Sequence, residues 1–373
     1  MFVELHMIQN FSPANLNRDD TNSPKDCEFG GVRRARISSQ CIKRSIRKHP
    51  AFSTATQTPI GVRTKRLIHE LREPLVKTGK PAEVVDKVLA SLVPCCLVEL
   101  DKKVPDRTNV LLYLARDEVQ KMADEILAQW DTIGDKKAQD RLAEQFVAQR
   151  KGWTSAPDIA LFGRMLAEKP ILGLDAACQV AHAISTHRVT MEMDYYTAVD
   201  DLNPEDTAGA GMLGLTGFNS ACFYRYSRID WEQLVQNLKD DGDLARRTVE
   251  GFLRASLLAV PTGKQNAFAA QNPVSFAMAV VRDDGQSWSL ANAFEKPVSS
   301  RQDSGWVRPS VAALDTYWDR LSAVYGMSGI KAVAAIALDS EPPLESLHEY
   351  LVGTLEEWVE AVMAALPAGE AGA

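Results

Sequence analysis

The hydrophobic period changes twice along this chain of 373 residues, and that change of texture restricts the fold more than any single motif does. Near the start, Val3, Leu5 and Met7 alternate with Glu4 and His6, the period of two expected of a strand with one solvated face. A polar loop, Ser12–Gly31, leads to a second extended segment, Val32–Ile37. Ser38 and Ser39 then offer an N-cap for a helix from Gln40 to about Lys48, stopped by Pro50. From Pro81 to about Lys151 the period lengthens. Val84, Val85, Val88, Leu89 and Leu92 fall at helical spacing, and Asp117–Gln149 reads as a long charged helix interrupted at Gly134. Another helix is expected from Asp175 to about His187.

At Arg188 the period returns to two: Val189, Met191, Met193 and Tyr195 alternate with Arg188, Thr190, Glu192 and Asp194. A glycine-rich tip, Asn203–Gly217, and a return strand, Ala221–Tyr226, complete a long hairpin. Helices over Trp231–Leu238 and Leu244–Leu258 follow, then strands around Val274–Val281 and Trp288–Ala293. A helix opens after Pro309, a strand covers Ile330–Leu338, and an amphipathic helix over Ser346–Leu366 closes the pattern. Strands and helices mixed around one large helical insertion define an α+β class.

Charge is distributed as unevenly as texture. The chain carries −7 overall, yet Phe29–His69 holds ten Lys and Arg and no Asp or Glu. The remainder therefore carries −17, and Ala332–Ala373 contains eight acids without one Lys or Arg. Such polarity points to a polyanion-binding surface near the N-terminus and a solvated or partner-facing surface at the end. No stretch is apolar and long enough to cross a membrane, and the first residues lack the basic and apolar regions of a signal peptide. Six cysteines without a C-x-x-C suit neither a disulfide framework nor a zinc site. A cytoplasmic protein without cofactor or metal is expected.

On the helix beginning near Ser39, Gln40, Lys43 and Arg47 recur on one face with Arg44 beside them, while Ile42 and Ile46 occupy another. The helix start adds unpaired N–H groups and the Ser38 and Ser39 hydroxyls. A line of anion donors suits a run of phosphates better than a single small anion, whereas the bland alternative is a solvated basic face. Lys136, Lys137 and Arg141 form a second basic edge able to attract DNA phosphates, or to pair with Asp140 or Glu144 on their own helix. Met212, Leu213, Leu215 and Phe218 stand among the glycines of the hairpin, an exposed tip expected to stay mobile until a partner covers it. Catalytic constellations are weak. Asp19, Asp20 and Asp26 permit a metal-dependent ribonuclease reading, although loop capping is the commoner use of such acids. A sequence-specific DNA-binding regulator lacks any helix-turn-helix pattern here.

Several blocks together resemble the CasC family, the backbone (Cas-seven class) subunits of type I-E CRISPR Cascade surveillance complexes. They are Asn17–Asp20, Phe29-Gly30-Gly31, Arg34–Gln40 with Lys43-Arg44, Asp158–Met165, Ala181–His187, Asp194–Asp201, Ala291–Lys296 and Tyr317–Arg320. The resemblance implies an RRM-like (ferredoxin-like) palm with a helical fingers insertion and a β-hairpin thumb. The boundaries would be palm over 1–57, fingers over 58–178, palm over 179–188, thumb over 189–220 and palm over 221–373. It implies a non-catalytic subunit that polymerises along CRISPR guide RNA and meets target DNA through that RNA, beside other Cascade subunits. Carried over by position, the guide contacts would be Arg18, Lys25, Ser38, Gln40, Lys43, Arg44 and Arg47, with Met165 in the fingers and Thr197 near the thumb base. The tip residues Met212, Leu213, Leu215 and Phe218 would touch the neighbouring copy.

Overall fold

The computed structural model describes residues 1–198, 212–300 and 305–369. They divide into two units. The first is built from Met1–Ala51, Val180–Arg228 and Phe252–Pro367; the second is built mainly from Phe52–Gln179 and Ile229–Gly251.

The first unit is organised by one large sheet. Its main strands are β1 (Phe2–Ala14), β2 (Asp26–Phe29), β3 (Val32–Ile37), β4 (Ala183–Ser185), β5 (Glu192–Ala198), β6 (Met212–Asp230), β7 (Phe276–Arg282) and β8 (Ile330–Ala337). They run in the order β8-β7-β1-β6-β4-β3-β2, with β5 also paired to β6. The pairs β1–β7, β7–β8, β2–β3, β3–β4, β4–β6 and β5–β6 are antiparallel. Ile8, Tyr224, Phe276, Met278, Leu290, Phe294, Leu314 and Trp318 form the core on one side of this sheet.

The alternation in the first strand does not mean a solvated face. Glu4 and His6 are as buried as Leu5 and Met7, because the Glu4 carboxylate and one nitrogen of His6 find partners inside. Glu4 accepts from Arg282 Nε at 2.9 Å and from the Trp288 amide at 2.7 Å, and His6 Nδ1 meets the Tyr224 hydroxyl at 2.9 Å. A buried, hydrogen-bonded charge is tolerated where an unpaired one is not.

The expected helix over 175–187 is also corrected. Cys178–Val180 and Ala183–Ser185 are strands, and Ala181 N and Thr186 N donate across to Tyr226 O and Cys222 O. Trp288–Ala293 forms no strand. Its amides are claimed by side chains, Trp288 N by Glu4 and Leu290 N by the Tyr224 hydroxyl, and Leu290–Phe294 coils into a 3-10 turn. The final helix spans Leu355–Ala364 rather than starting at Ser346, with Thr354 and Glu357 capping it reciprocally. Upstream, Asp315 accepts from the amides of Glu345, Ser346 and Leu347 and holds that segment out of the helix. Pro309 lies in the first turn of the Val307–Tyr325 helix, where its missing N–H costs nothing.

The second unit packs the helices Leu67–Lys77, Ala82–Cys96, Arg116–Ala128 and Lys136–Arg150 around Leu71, Leu89, Leu92, Ile126 and Phe146. The break expected at Gly134 falls between the last two. A two-stranded ribbon, Val62–Thr64 with Leu112–Leu114, completes it.

Candidate nucleic-acid interface

The basic helix begins where the sequence places it. Ser38 is its N-cap and accepts from the Cys41 amide at 3.3 Å; the helix spans Ser39–Lys48, with no acid in its first turn and Arg47 and Lys48 in its last. The preceding loop is stitched to this start. Ser38 N donates to Asn17 Oδ1 at 2.8 Å, Lys25 N to Asn17 O at 2.9 Å, and Arg36 N to Lys25 O at 2.9 Å. Lys25, Ser38 and Gln40 are thereby gathered around one helix N-terminus, where Asn17, Lys25 and Arg36 line a small cleft, while the exposed Arg18 next to Asn17 donates from Nη1 to Asn22 Oδ1 at 2.7 Å. Gln40 and Arg44 are exposed and Lys43 half-buried. Arg47 departs from the expected stripe: only 3% exposed, it sits beneath the surface. Ile42 and Ile46 are buried on the other face, and the exposed stripe narrows toward the C-terminal turn.

His182 joins the group without having been expected there. Its Nδ1 lies 3.0 Å from Arg36 Nη1. Because a guanidinium only donates, Nδ1 must accept and the ring is neutral. Partial burial, then the Arg36 and Lys25 cations, hold its pKa below the usual histidine value. Its one signal in the sequence is its place inside the Ala181–His187 block.

Several block residues serve architecture instead. Arg34 is fully buried and donates to the carbonyls of Phe29, Ser185, Phe294 and Glu295. Gly30 has φ +60°, and a Cβ there would lie 1.7 Å from Glu295 O. Four of the blocks thus meet in one clamp. Asp19 accepts from Thr21 and Ser23 amides and from the Thr21 hydroxyl, which hold its carboxyl below the usual range. Asp26 pairs with Arg33 at 2.5 Å. Among the described residues no group of three His, Cys, Asp or Glu could hold a metal ion.

Thr197 is exposed on the ribbon formed by β5 and the start of β6. Residues 199–211, most of the expected glycine-rich tip, lie outside the described residues. Met212–Gly217 is no loop: Gly214 and Gly217 stand opposite Tyr196 and Met193 in the ladder. A Cβ on Gly214 would fall 2.1 Å from Tyr196 Cζ, so the ring covers this glycine. Met193, Tyr195 and Leu215 share one face and are 53%, 64% and 59% exposed. The ribbon base is held by Asn15 Nδ2 on Gly217 O, Lys264 on the Thr216 hydroxyl, and Phe218 against Phe268.

In the second unit Met165 is 91% exposed, on a loop fixed by the buried Arg164–Glu118 pair. Lys136, Lys137 and Arg141 are exposed on their helix, and Lys136 lies 3.9 Å from Asp140. No helix among the described residues is long and apolar enough to cross a membrane.

The family model described as CT1975-like protein matches residues 3–364. A chain described as "CRISPR RNA-guided surveillance complex, pre-nicking" aligns at TM-score 0.85 and 30% identity, covering 98% of this chain and 100% of that one. Another, described as "CRISPR RNA-guided surveillance complex", aligns at TM-score 0.76 and 26% identity over the same shares. No curated protein matches. The fold is that of a surveillance-complex subunit. The chain belongs to the CT1975-like family, the CasC backbone class its motif blocks resemble.

Proposed function

We propose that this chain is a non-catalytic backbone subunit that binds CRISPR guide RNA and polymerises along it, presenting the RNA for pairing with target DNA. In this reading the first unit's sheet is an RRM-like palm, the helical block the fingers, and the β5–β6 ribbon a thumb. Copies of the chain and other Cascade subunits are its partners.

The observation that carries the proposal is the convergence of Lys25, Ser38 and Gln40 at the start of the basic helix, with Arg18 on the loop stitched to it and Lys43 and Arg44 further along the helix. Backbone N–H groups, a positive helix end and cations in a row bind phosphates without reading sequence. Sequence selection is then left to base pairing. The exposed face of Met193, Tyr195 and Leu215 gives bases and a neighbouring copy an apolar surface on which to pack. Asp19 is occupied by its own loop and Asp26 by Arg33, so no observation favours the ribonuclease alternative.

Co-expression with a CRISPR array, purification and sequencing of bound RNA tests this. Short repeat-derived RNA is expected, while a nucleic-acid-free preparation, or metal-dependent RNA cleavage abolished by Asp19→Ala, refutes it.

A further inference from the structure

Arg63 stands on the strand Val62–Thr64, and its guanidinium carbon lies 4.4 Å from the centroid of the Tyr113 ring on the paired strand. This platform is fixed from behind. The buried Tyr113 donates its hydroxyl to Asp158 Oδ2 at 2.6 Å, and Asp158 Oδ1 accepts from Gly61 N at 2.7 Å. Arg63 itself is exposed. A guanidinium laid on one aromatic ring keeps its second face open for another flat group.

Arg63 also lines a cleft of about 670 Å³ shared with Gly163, Arg164, Met165 and Asp175, within the roughly 300–1,000 Å³ of small-ligand sites. The Met165 wall is rigid. Gly163 has φ +76°, a Cβ there would lie 2.8 Å from Leu174 O, and Arg164 is tied to Leu172 O and Glu118. Charge selects the occupant. Arg164 is already neutralised by Glu118, and Asp175 disfavours a second anion beside Arg63. A flat neutral group, stacked on the cation and touched by a thioether, fits better than a phosphate.

We propose that this cleft holds one unpaired nucleobase of single-stranded RNA, stacked on Arg63 and contacted by Met165. The site would accept any base, since every base has a π face. This rests on the RNA-binding reading above, in which the resemblance already makes Met165 a guide contact, and adds to it the stacking of a base on Arg63, a residue outside every family block.

The test uses the full chain and a short RNA carrying one 2-aminopurine. Binding of wild type should quench its fluorescence. Arg63→Ala should abolish the quenching and weaken binding about tenfold, the scale of losing one stacked base. Arg63→Lys, which keeps the charge and loses the plane, should behave like Arg63→Ala. On an RNA with abasic sites Arg63→Ala should cause no further loss. The proposal is overturned if Arg63→Ala binds like wild type, if Arg63→Lys restores binding, or if the loss is equal on abasic RNA. Quenching confined to a single-stranded DNA of the same sequence would also overturn the assignment to RNA. A wild-type chain that binds no RNA refutes the underlying reading itself, and this site with it.

Discussion

Arg34 shows how a basic residue in a cationic run can have nothing to do with a polyanion. Its guanidinium reaches four carbonyls that no other side chain could satisfy together. A lysine offers a compact ammonium rather than a fork. Arg34→Lys should therefore lower stability by about 2–4 kcal/mol, measured by denaturant unfolding, while the folded fraction keeps its RNA affinity. His187 gives a second residue-scale prediction. It stacks on Trp306 at 4.0 Å, accepts from the Cys222 amide through Nε2, and holds its Nδ1 proton toward Arg188 O. Burial first, with Arg34 nearby, lowers its pKa below 6.5. The unfolded chain then binds a proton that the folded ring refuses, so stability is full above pH 6.5 and falls as pH drops toward the depressed folded value. His187→Phe keeps the stack and loses the acceptor. Thermal unfolding should show it less stable at neutral pH and less sensitive to acid than wild type.

At the scale of elements, the helix Ser39–Lys48 was legible because its signals are local: a serine cap, isoleucines on one face, cations on another. What the spacing could not show is that Arg47 turns inward. Arg47 is buried, so the two ends of one stripe should respond differently. Lys43→Ala with Arg44→Ala should weaken binding equally for unrelated RNAs and reduce the salt slope by about 0.7 for each lost phosphate contact, read from affinities across a salt series. Arg47→Ala should act mainly on stability. The elements that depart from the local sequence pattern share one cause. In Cys178–Val180, Ala183–Ser185 and Leu290–Phe294 the backbone donors are taken by groups far away in sequence, and no local pattern reports such partners. The ribbon behaves likewise. Gly214 looked like loop flexibility, yet it makes room for Tyr196. Gly214→Val should disrupt the ribbon while leaving the Ile8–Trp318 core intact, which hydrogen exchange of β5 against β1 would resolve.

For the whole molecule, the texture of the sequence foretold a sheet interrupted by a helical block, and the family blocks foretold the class. The polarised charge was only partly informative. Of the ten cations in the acid-free window, Arg34 and Arg47 are buried and Arg33 pairs with Asp26, so the working surface is smaller than the count implies. Filament formation makes the strongest demand on the whole chain, since it needs a phosphate groove and a copy-to-copy contact at once. Native mass measured for complexes on RNAs of increasing length tests it directly. A guide-binding backbone predicts mass rising in steps of one 41.1 kDa chain as the RNA lengthens. A single copy per RNA at every length, or no bound RNA at all, would contradict it.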